Sequence, residues 1–181
     1  MGCDIHGFLE YRYANDKSWW DMCTIPDDRN YDLFGILAGV RNYVNATPIS
    51  KPKGIPEDAS YRVKDGIKNW GVDGHSHSWL TWKEIKEYNW AEKYQDGRVS
   101  TIVINTGKEL GKASYTSLQE ESAEELAKRG IKLVYLERTA KDLIPFEWKG
   151  FFDYMRYLAE GDESTSGYGD ENVRIVFWFD N

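Results

Sequence analysis

The chain carries the stretch Val173-Arg174-Ile175-Val176-Phe177-Trp178-Phe179-Asp180-Asn181, and this stretch decides the fold. On an extended backbone, successive side chains point to opposite faces of a sheet. Val176 and Trp178 project to one face, and Ile175, Phe177 and Phe179 project to the other, so both faces are apolar. Strands that are apolar on both faces are typical of the buried centre of a sheet. We therefore expect residues 173–181 to form a central strand.

The front of the chain has the alternation of another strand. Residues 4–13 alternate with a period of two, which is strand spacing. Asn15-Asp16 is a turn signal, and residues 18–23 have the composition of a return strand, so the sequence predicts a hairpin. In that hairpin Cys23 faces Phe8 and not Cys3. We therefore expect two free thiols, which fits a reducing cytosol.

Helices are predicted from apolar spacing and from capping residues. The spacing of Leu33, Phe34 and Leu37 is helical, with Asn30 or Asp32 as the cap. Capping boxes open two further helices. The predicted helices cover about 33–41, 60–70 with an interruption at Gly66, 81–90, 117–129 and 147–160, and further strands cover 98–104 and 131–137. Loops are expected at 42–60 and 161–172. Together these elements predict one α+β domain over residues 1–181, with a mainly antiparallel sheet, an N-terminal hairpin and a C-terminal strand, and helices packed on it.

Composition narrows the classes of function. The chain has 181 residues, 15% of them aromatic, and a formal net charge of −7. A protein that wraps nucleic acid needs an excess of Lys and Arg, so direct nucleic-acid wrapping is not expected. No apolar run is long enough to span a membrane, and no secretory signal begins the chain, so a cytoplasmic protein is expected. The negative charge favours a small-molecule site or a basic protein partner.

All three histidines lie in two motifs, Asp4-Ile5-His6 and Asp73-Gly74-His75-Ser76-His77. Because alternate side chains share a face, we expect Asp4 to project with His6, and Asp73 to project with both His75 and His77. Imidazole and carboxylate groups bind transition metals and transfer protons. If the loop 71–79 folds over the first strand, His6 joins the other two histidines.

Three interpretations of these motifs remain open. In the first, a divalent transition metal, zinc or manganese, is bound by Asp4, His6, His75 and His77. In the second, the same groups and Asp73 form a catalytic or ligand site without a metal. In the third, the histidines only stabilise a loop through hydrogen bonds.

Further candidate ligand-binding residues surround these motifs. Arg29, Asn30 and Arg41 lie at the ends of the predicted helix 33–41, and they are candidates for binding a ligand. An Arg near a helix start can anchor a phosphate or carboxylate together with backbone N–H groups. The alternative is that Asn30 caps the helix and the arginines form exposed ion pairs. Trp79, beside the histidines, is either a binding anchor or part of the core.

Four stretches resemble a widespread family of small phage and prophage proteins. They are Met-Gly-Cys-Asp-Ile-His (1–6), Arg-Asn-Tyr-Asp-Leu-Phe (29–34) with Val40-Arg41-Asn42, Asp-Gly-His-Ser-His-Ser-Trp-Leu (73–80) and the closing stretch 173–181. Most members of that family carry no assigned function, and residues 90–170 lie outside the resemblance. The size and type of the chain also resemble a type II-A anti-CRISPR inhibitor from mobile elements. The resemblance implies an accessory protein in the cytoplasm of an infected or lysogenic bacterial host.

Two classes of function follow. The first is counter-defence by binding, with a basic host defence protein such as a Cas9-type nuclease as the partner, since acidic surfaces can occupy grooves that hold nucleic acid. The second is a small metal-assisted hydrolase that acts on a phosphorylated or nucleotide substrate through the Asp/His motifs. The aromatic content is also compatible with a symmetric homodimer.

Overall fold

The computed structural model describes residues 2–104, 109–113, 123–128 and 131–181, which form two antiparallel sheets and several helices. The strands are β1 (Ile5–Tyr11), β2 (Trp20–Thr24), β3 (His75–Thr81), β4 (Lys93–Ile104), β5 (Glu109–Ala113), β6 (Ile131–Thr139) and β7 (Val173–Phe179). The helices are α1 (Tyr31–Ala38), α2 (Tyr61–Trp70), α3 (Trp82–Glu87), α4 (Ala123–Lys128), α5 (Phe146–Glu160) and a 3-10 turn at Ala140–Leu143. The predicted α+β class is confirmed. None of the helices in these described ranges is both long and apolar enough to cross a membrane.

β7 lies inside a four-stranded sheet with the order β2-β1-β7-β3. All seven of its residues are buried. It pairs antiparallel with β1 on one side, from Ile5 opposite Phe179 to Tyr11 opposite Val173, and with β3 on the other. The prediction of a central strand that is apolar on both faces is therefore confirmed.

Each face of this sheet has its own cover. Ile175, Phe177 and Phe179 belong to the main core, together with apolar residues of α1 and α5. On the opposite face Val176 packs in a smaller cluster with Val63 of α2. Full burial of a Val, Leu or Phe side chain contributes about 1.5–3 kcal/mol. The cover on both faces is therefore what keeps β7 inside the sheet.

The predicted caps start two helices at the expected residues. The Asn30 side chain accepts a hydrogen bond from the Leu33 N–H at 2.9 Å and starts α1. Thr81 and Glu84 form the predicted capping box at the start of α3. These caps satisfy N–H groups that the helix itself leaves unpaired.

The helix predicted for 33–41 is shorter at its end. α1 ends at Ala38 and does not reach Arg41, because Gly39 adopts a left-handed conformation with a φ of 74° and caps the helix.

Two further helix predictions need correction, and the helix predicted for 117–129 is confirmed over the described residues of α4. α3 ends at Glu87 and not near Trp90, whose indole N–H instead donates to the Ile85 carbonyl at 2.8 Å. α2 continues through Gly66, where a Cβ would lie 2.9 Å from the Phe8 ring, so this glycine permits close packing and does not interrupt the helix. The predicted capping box at residues 117–120 lies outside the described residues.

The hairpin of β1 and β2 changes register at a bulge. Tyr11 pairs with Trp20 as predicted, but a bulge directly after Leu9 shifts the register by one residue. Leu9 therefore lies opposite Cys23, and the prediction that Cys23 faces Phe8 is wrong. A bulge is an additional residue in one strand of an antiparallel pair, and it shifts the register of the two strands. The sequence of the strand alone does not show where a bulge occurs. Both cysteines are free thiols, as predicted.

The second sheet has the order β5-β4-β6 and lies in the part of the chain between β3 and β7. β4 contains the predicted strand 98–104 but begins earlier, and β6 extends the predicted strand 131–137 by two residues. The ladder between β4 and β6 shifts register between Asp96 and Ser100. Both predicted strands are thus confirmed, with longer bounds.

Gly7 in β1 leaves no room for a side chain. A Cβ built there would overlap the Val176 carbonyl oxygen and lie 2.8 Å from the Phe177 Cα, both of which are backbone atoms of β7. We expect Gly7→Ala to lower the free energy of unfolding by about 2 kcal/mol or more, because β1 must move away from β7. Urea denaturation followed by tryptophan fluorescence measures this change.

Gly150→Ala is the matched control. Gly150 is exposed on α5, and a Cβ there meets no atom within 4 Å. Alanine is favoured over glycine in a helix by about 1 kcal/mol, so this variant should be more stable than the wild type. If Gly7→Ala were as stable as the wild type, the close approach of β1 to β7 would be refuted.

Candidate functional site

Most of the predicted site residues lie at one end of the four-stranded sheet. There the start of β1, the end of β7 and the start of β3 are neighbours, since His6 pairs with Trp178 and His75 pairs with Phe179. The two histidine motifs, which are far apart in the chain, therefore meet at the same end of the sheet. The antiparallel topology brings them there, because β7 pairs with both β1 and β3.

Arg29 holds Asp4 in a bidentate ion pair. The Nε and Nη2 atoms of Arg29 each donate to one oxygen of the Asp4 carboxylate at 2.6 Å. The hydrogen bond from Arg29 holds the pKa of Asp4 below its ordinary value of 3.8, so this carboxylate is ionised at neutral pH. The geometry therefore gives Arg29 an internal partner in place of the external anion that the sequence suggested.

His6 lies between an aromatic ring and a carboxylate. Its ring stacks on Trp70 of α2 with centroids 4.0 Å apart. Its Nε2 atom lies 3.4 Å from Oδ2 of Asp180, within ion-pair range but without hydrogen-bond geometry. Asp180 also accepts a hydrogen bond from the Asp4 backbone N–H at 2.9 Å. Asp180 was not among the site residues predicted from the sequence. Its position directly after the predicted central strand could have indicated that it lies at the end of the sheet.

His6 also lines a cleft of about 320 Å³ between β1 and α2. Phe8, Trp70 and Trp178 provide aromatic walls, and Asp27 provides a carboxylate. This volume is at the lower end of the range of small-molecule sites. The cleft therefore has room for a small polar or aromatic group beside His6.

A bulge in β3 separates two histidines that were predicted to share a face. Ser76 has a positive φ of 51°, and the register of β3 against β7 shifts at this point. His75 faces Phe179 of the main core, whereas His77 lies against the opposite face of the sheet. The prediction that Asp73, His75 and His77 project to one side is wrong, because the bulge adds a residue between the two histidines. Asp73 itself is exposed on the preceding loop.

Trp178 lies between His6 and His77. Its ring centroid is 6.3 Å from that of His6 and 6.4 Å from that of His77. His77 in β3 thus lies on the side of the sheet that carries His6, but Trp178 of the intervening strand β7 lies between the two imidazoles. In the described ranges, no three His, Cys, Asp or Glu side chains are close enough together to hold a metal ion. Binding of zinc or manganese therefore stays a prediction for which this geometry gives no support.

The buried nitrogens of these rings lack hydrogen-bond partners. The Nε2 atoms of His6, His75 and His77 and the Nε1 atom of Trp178 are buried and unpaired within the described part of the chain. Buried polar atoms are nearly always hydrogen-bonded, either to protein or to ordered water. The nitrogens of His6, His77 and Trp178 share the face that α2 covers, so they are the groups with which this face can hold a small polar ligand without a metal.

The remaining predicted residues take three different places. Arg41 donates from Nη2 to the Asn181 side chain at 3.1 Å and so lies beside the end of β7. Asn30 has the structural role of capping α1. Trp79 lies further along β3, with the Lys53 Nζ 4.0 Å from its ring centroid. The structure therefore places Arg41 at the histidine end of the sheet and Trp79 elsewhere.

A second candidate site is an aromatic surface where β1, α5 and the loop 161–172 meet. Here five tyrosines, called the tyrosine surface below, lie close together: Tyr11, Tyr13, Tyr154, Tyr157 and Tyr168. The Tyr168 ring is 4.6 Å from that of Tyr11 and 5.4 Å from that of Tyr13. Tyr13, Tyr157 and Tyr168 line a hollow of about 490 Å³. The spacing of Tyr154 and Tyr157 along α5 is the sequence signal that was missed.

The edge strand β2 extends the tyrosine surface. Trp20 lies opposite Tyr11 in the ladder and is 53% exposed. β2 is the outer strand of its sheet, so one side of its backbone has no neighbouring strand in the described part of the chain. Exposed aromatic residues next to a sheet edge are typical of surfaces that bind another protein.

Comparisons with known proteins identify no family for this chain. No protein-family model matches it, and neither a curated protein nor a solved structure does. The resemblance to phage and prophage proteins therefore stays a prediction.

His77 is expected to make the protein less stable in acid. Burial lowers the pKa of His77 below its ordinary value of 6.5, and the charge of His75 lowers it further. The unfolded chain therefore takes up a proton that the folded protein resists, so stability decreases as the pH falls below about 6.5. Between about pH 7.5 and about pH 5.5, the free energy of unfolding of the wild type should fall more than that of His77→Asn.

Urea denaturation at both pH values measures the two differences. Because each protein is compared only with itself, a constant loss of stability in the variant does not affect the result. Parallel pH profiles for the wild type and His77→Asn would show that the pKa of His77 is not lowered by folding.

Proposed function

We propose that the protein acts by binding another protein, as an accessory factor of a phage or mobile element that inhibits a basic host defence protein. A Cas9-type nuclease is the specific target proposed. The observation that carries the binding function is the tyrosine surface. The resemblance of the four sequence stretches supports the phage origin, and the net charge of −7 supports a basic partner.

The tyrosine surface has the properties of an interface centre. Tyr13 is 56% exposed and Tyr157 is 44% exposed, and each offers a large ring together with a hydroxyl group. Ring contacts among Tyr11, Tyr13 and Tyr168 hold the rings in place before a partner arrives. Prior ordering lowers the entropy cost of association, and tyrosine is enriched among the residues that dominate binding energy. The hollow beside these rings has room for a side chain of the partner.

Acidic side chains flank the tyrosine surface. Asp162 and Glu163 are exposed in the loop that contributes Tyr168. The Asp162 carboxylate accepts hydrogen bonds from the backbone N–H groups of Ser164 and Thr165, and these lower the pKa of Asp162 below 3.8. The loop is therefore negatively charged at neutral pH. Such a rim speeds association with a positive surface, and the nucleic-acid channel of a Cas9-type nuclease is positively charged.

A metal-assisted hydrolase acting on a phosphorylated or nucleotide substrate is the alternative. The unpaired Nε2 atoms of His6 and His77 favour it. However, its mechanism requires carboxylate and imidazole ligands at one centre. Asp4 is paired with Arg29, and Trp178 separates the two imidazoles. The geometry therefore supports binding better than hydrolysis.

A DNA-cleavage assay with a purified type II-A Cas9 nuclease and its guide RNA tests the proposed target. We expect the wild-type protein to inhibit cleavage as its concentration rises. Tyr13→Ala/Tyr157→Ala should need at least about thirtyfold more protein for half-maximal inhibition, because truncating even one residue at an interface centre costs about 2 kcal/mol. Added salt should weaken inhibition, since the acidic rim is exposed to solvent.

Tyr61→Ala is the matched control for this assay. Tyr61 is 84% exposed at the start of α2, which covers the other face of the sheet. This variant should inhibit as strongly as the wild type, and circular dichroism checks that all variants are folded. Full inhibition by the double variant would exclude the tyrosine surface. Absence of both inhibition and binding by the wild type would exclude the Cas9-type target.

Metal content separates the two candidate functions. We expect tag-free wild-type protein to contain no stoichiometric zinc or manganese, and its thermal midpoint to be unchanged by chelation. The physical reason is that no three ligand side chains converge among the described residues. Elemental analysis before and after chelation measures this. A stoichiometric metal that is lost in His6→Ala would support the hydrolase instead.

A further inference from the structure

Arg174, in the second position of β7, is a buried cation with one donor group that has no hydrogen-bond partner among the described residues. Its side chain is 3% exposed. Its Nε donates to Oε2 of Glu10 at 2.7 Å, and its Nη1 donates to Oδ1 of Asp58 at 2.9 Å. Its Nη2 is buried and has no hydrogen-bond partner in the described part of the chain. Buried charged donors without a partner are rare in folded proteins, so this one indicates a missing acceptor.

The surroundings fix the orientation of this guanidinium. Glu10 is fully buried, and its Oε1 accepts the backbone N–H of Ser60 at 2.7 Å. The guanidinium lies 3.8 Å from the ring centroid of Trp19, whose indole N–H donates to Oδ2 of Asp58 at 2.9 Å. Nη2 therefore cannot turn toward another acceptor unless Arg174 gives up the two ion pairs.

Arg174 lines a cleft of about 450 Å³. Trp19 and Trp79 contribute aromatic walls, and Arg12 contributes a second guanidinium, 4.7 Å from the Trp19 centroid. The Nε of Arg12 donates to the Asn172 side chain at 2.7 Å, which orients its remaining donors. A molecule in this cleft thus meets two oriented arginines next to two indole rings.

The acidic residues that line the cleft already have basic neighbours. Asp58 is paired with Arg174, Glu84 with Lys53, and Glu171 with Lys83. The hydrogen bond and negative charge of Glu171 raise the pKa of Lys83, and the charge of Glu87 raises it further. Three of the four carboxylates in the lining are therefore paired, and the fourth, Glu87, shares Lys83 with Glu171. The groups that remain for a ligand are hydrogen-bond donors of arginine and apolar ring faces.

We propose that this cleft binds an oxyanion group, a carboxylate or a phosphate, carried by a small molecule. Arg174 Nη2 and the outer nitrogens of Arg12 donate to the oxyanion, because guanidinium groups match the spacing of carboxylate and phosphate oxygens. Trp19 and Trp79 contact the rest of the molecule. The site is separate from the tyrosine surface and does not depend on the proposed partner protein.

Titration of the full chain with inorganic phosphate and, separately, with acetate tests the proposal. Sodium chloride at matched ionic strength is the solvent control. The readouts are the thermal midpoint and the tryptophan fluorescence, since Trp19 and Trp79 line the cleft. We expect a saturable change in both readouts, and the anion that saturates at the lower concentration identifies a phosphorylated or a carboxylated ligand.

Two variants assign the response to the cleft. Arg12→Gln should weaken binding about tenfold, because it removes one charged donor. Arg156→Gln, which changes a half-exposed arginine on α5, should bind like the wild type. Arg174→Lys keeps the charge but removes Nη2, and it should bind weakly if it folds; if it does not fold, Arg12→Gln decides the question alone.

Two results would overturn the proposal. One is the absence of a saturable response to both anions, which would assign Nη2 to an ordered water. The other is equal affinity of Arg12→Gln and the wild type, which would place the anion outside the cleft.

Discussion

A strand that is apolar on both faces cannot be exposed to water on either side, and β7 imposes this condition on the rest of the fold. Its Ile175, Phe177 and Phe179 require the cover of α1 and α5, and its Val176 requires the cover of α2. Its backbone groups require a strand on each side, which β1 and β3 supply. The histidine end of the sheet, the Arg174 cleft and the tyrosine surface all lie on elements that this condition positions.

One charged residue interrupts this apolar strand, and its partners fix the alignment of the strands. Arg174 lies directly opposite Glu10 in the ladder of β1 and β7, and the two side chains form a buried ion pair. A slip of one residue would move every side chain of β1 to the opposite face. It would also separate Glu10 from Arg174, and a buried charge that loses its partner costs far more than the pair itself contributes. The ion pair therefore excludes alternative registers more than it adds stability.

Local features of the fold could be predicted from the sequence, and features that depend on distant partners could not. The alternation in residues 4–13, the Asn30 cap and the Thr81–Glu84 capping box involve residues close together in the chain, and all three are confirmed. The bulges after Leu9 and at Ser76 arise from pairing with another strand, so the registers of Cys23 and the histidines were predicted incorrectly.

The candidate site shows the same division. Asp4, His6, Arg29 and Arg41 were each recognisable as chemically capable residues, and the structure places them at one end of the sheet. That Arg29 would neutralise Asp4, and that Trp178 would separate two histidines, depends on side-chain packing between elements far apart in sequence. The tyrosine surface also escaped prediction, because its members come from a strand, a helix and a loop.

The pairing of β1 with β7 also has a consequence for the time course of folding. Asp4 and Asp180 are 176 positions apart in the chain, yet they are hydrogen-bonded neighbours. Contacts between such distant residues slow folding, because the chain must close a long loop before the contact contributes any stability. The hairpin of β1 and β2 closes through only residues 12–19 and can form early. Before β7 pairs with β1, that hairpin exposes Ile5, Leu9 and a row of unpaired backbone groups. Aggregation can therefore compete with completion of the sheet during folding.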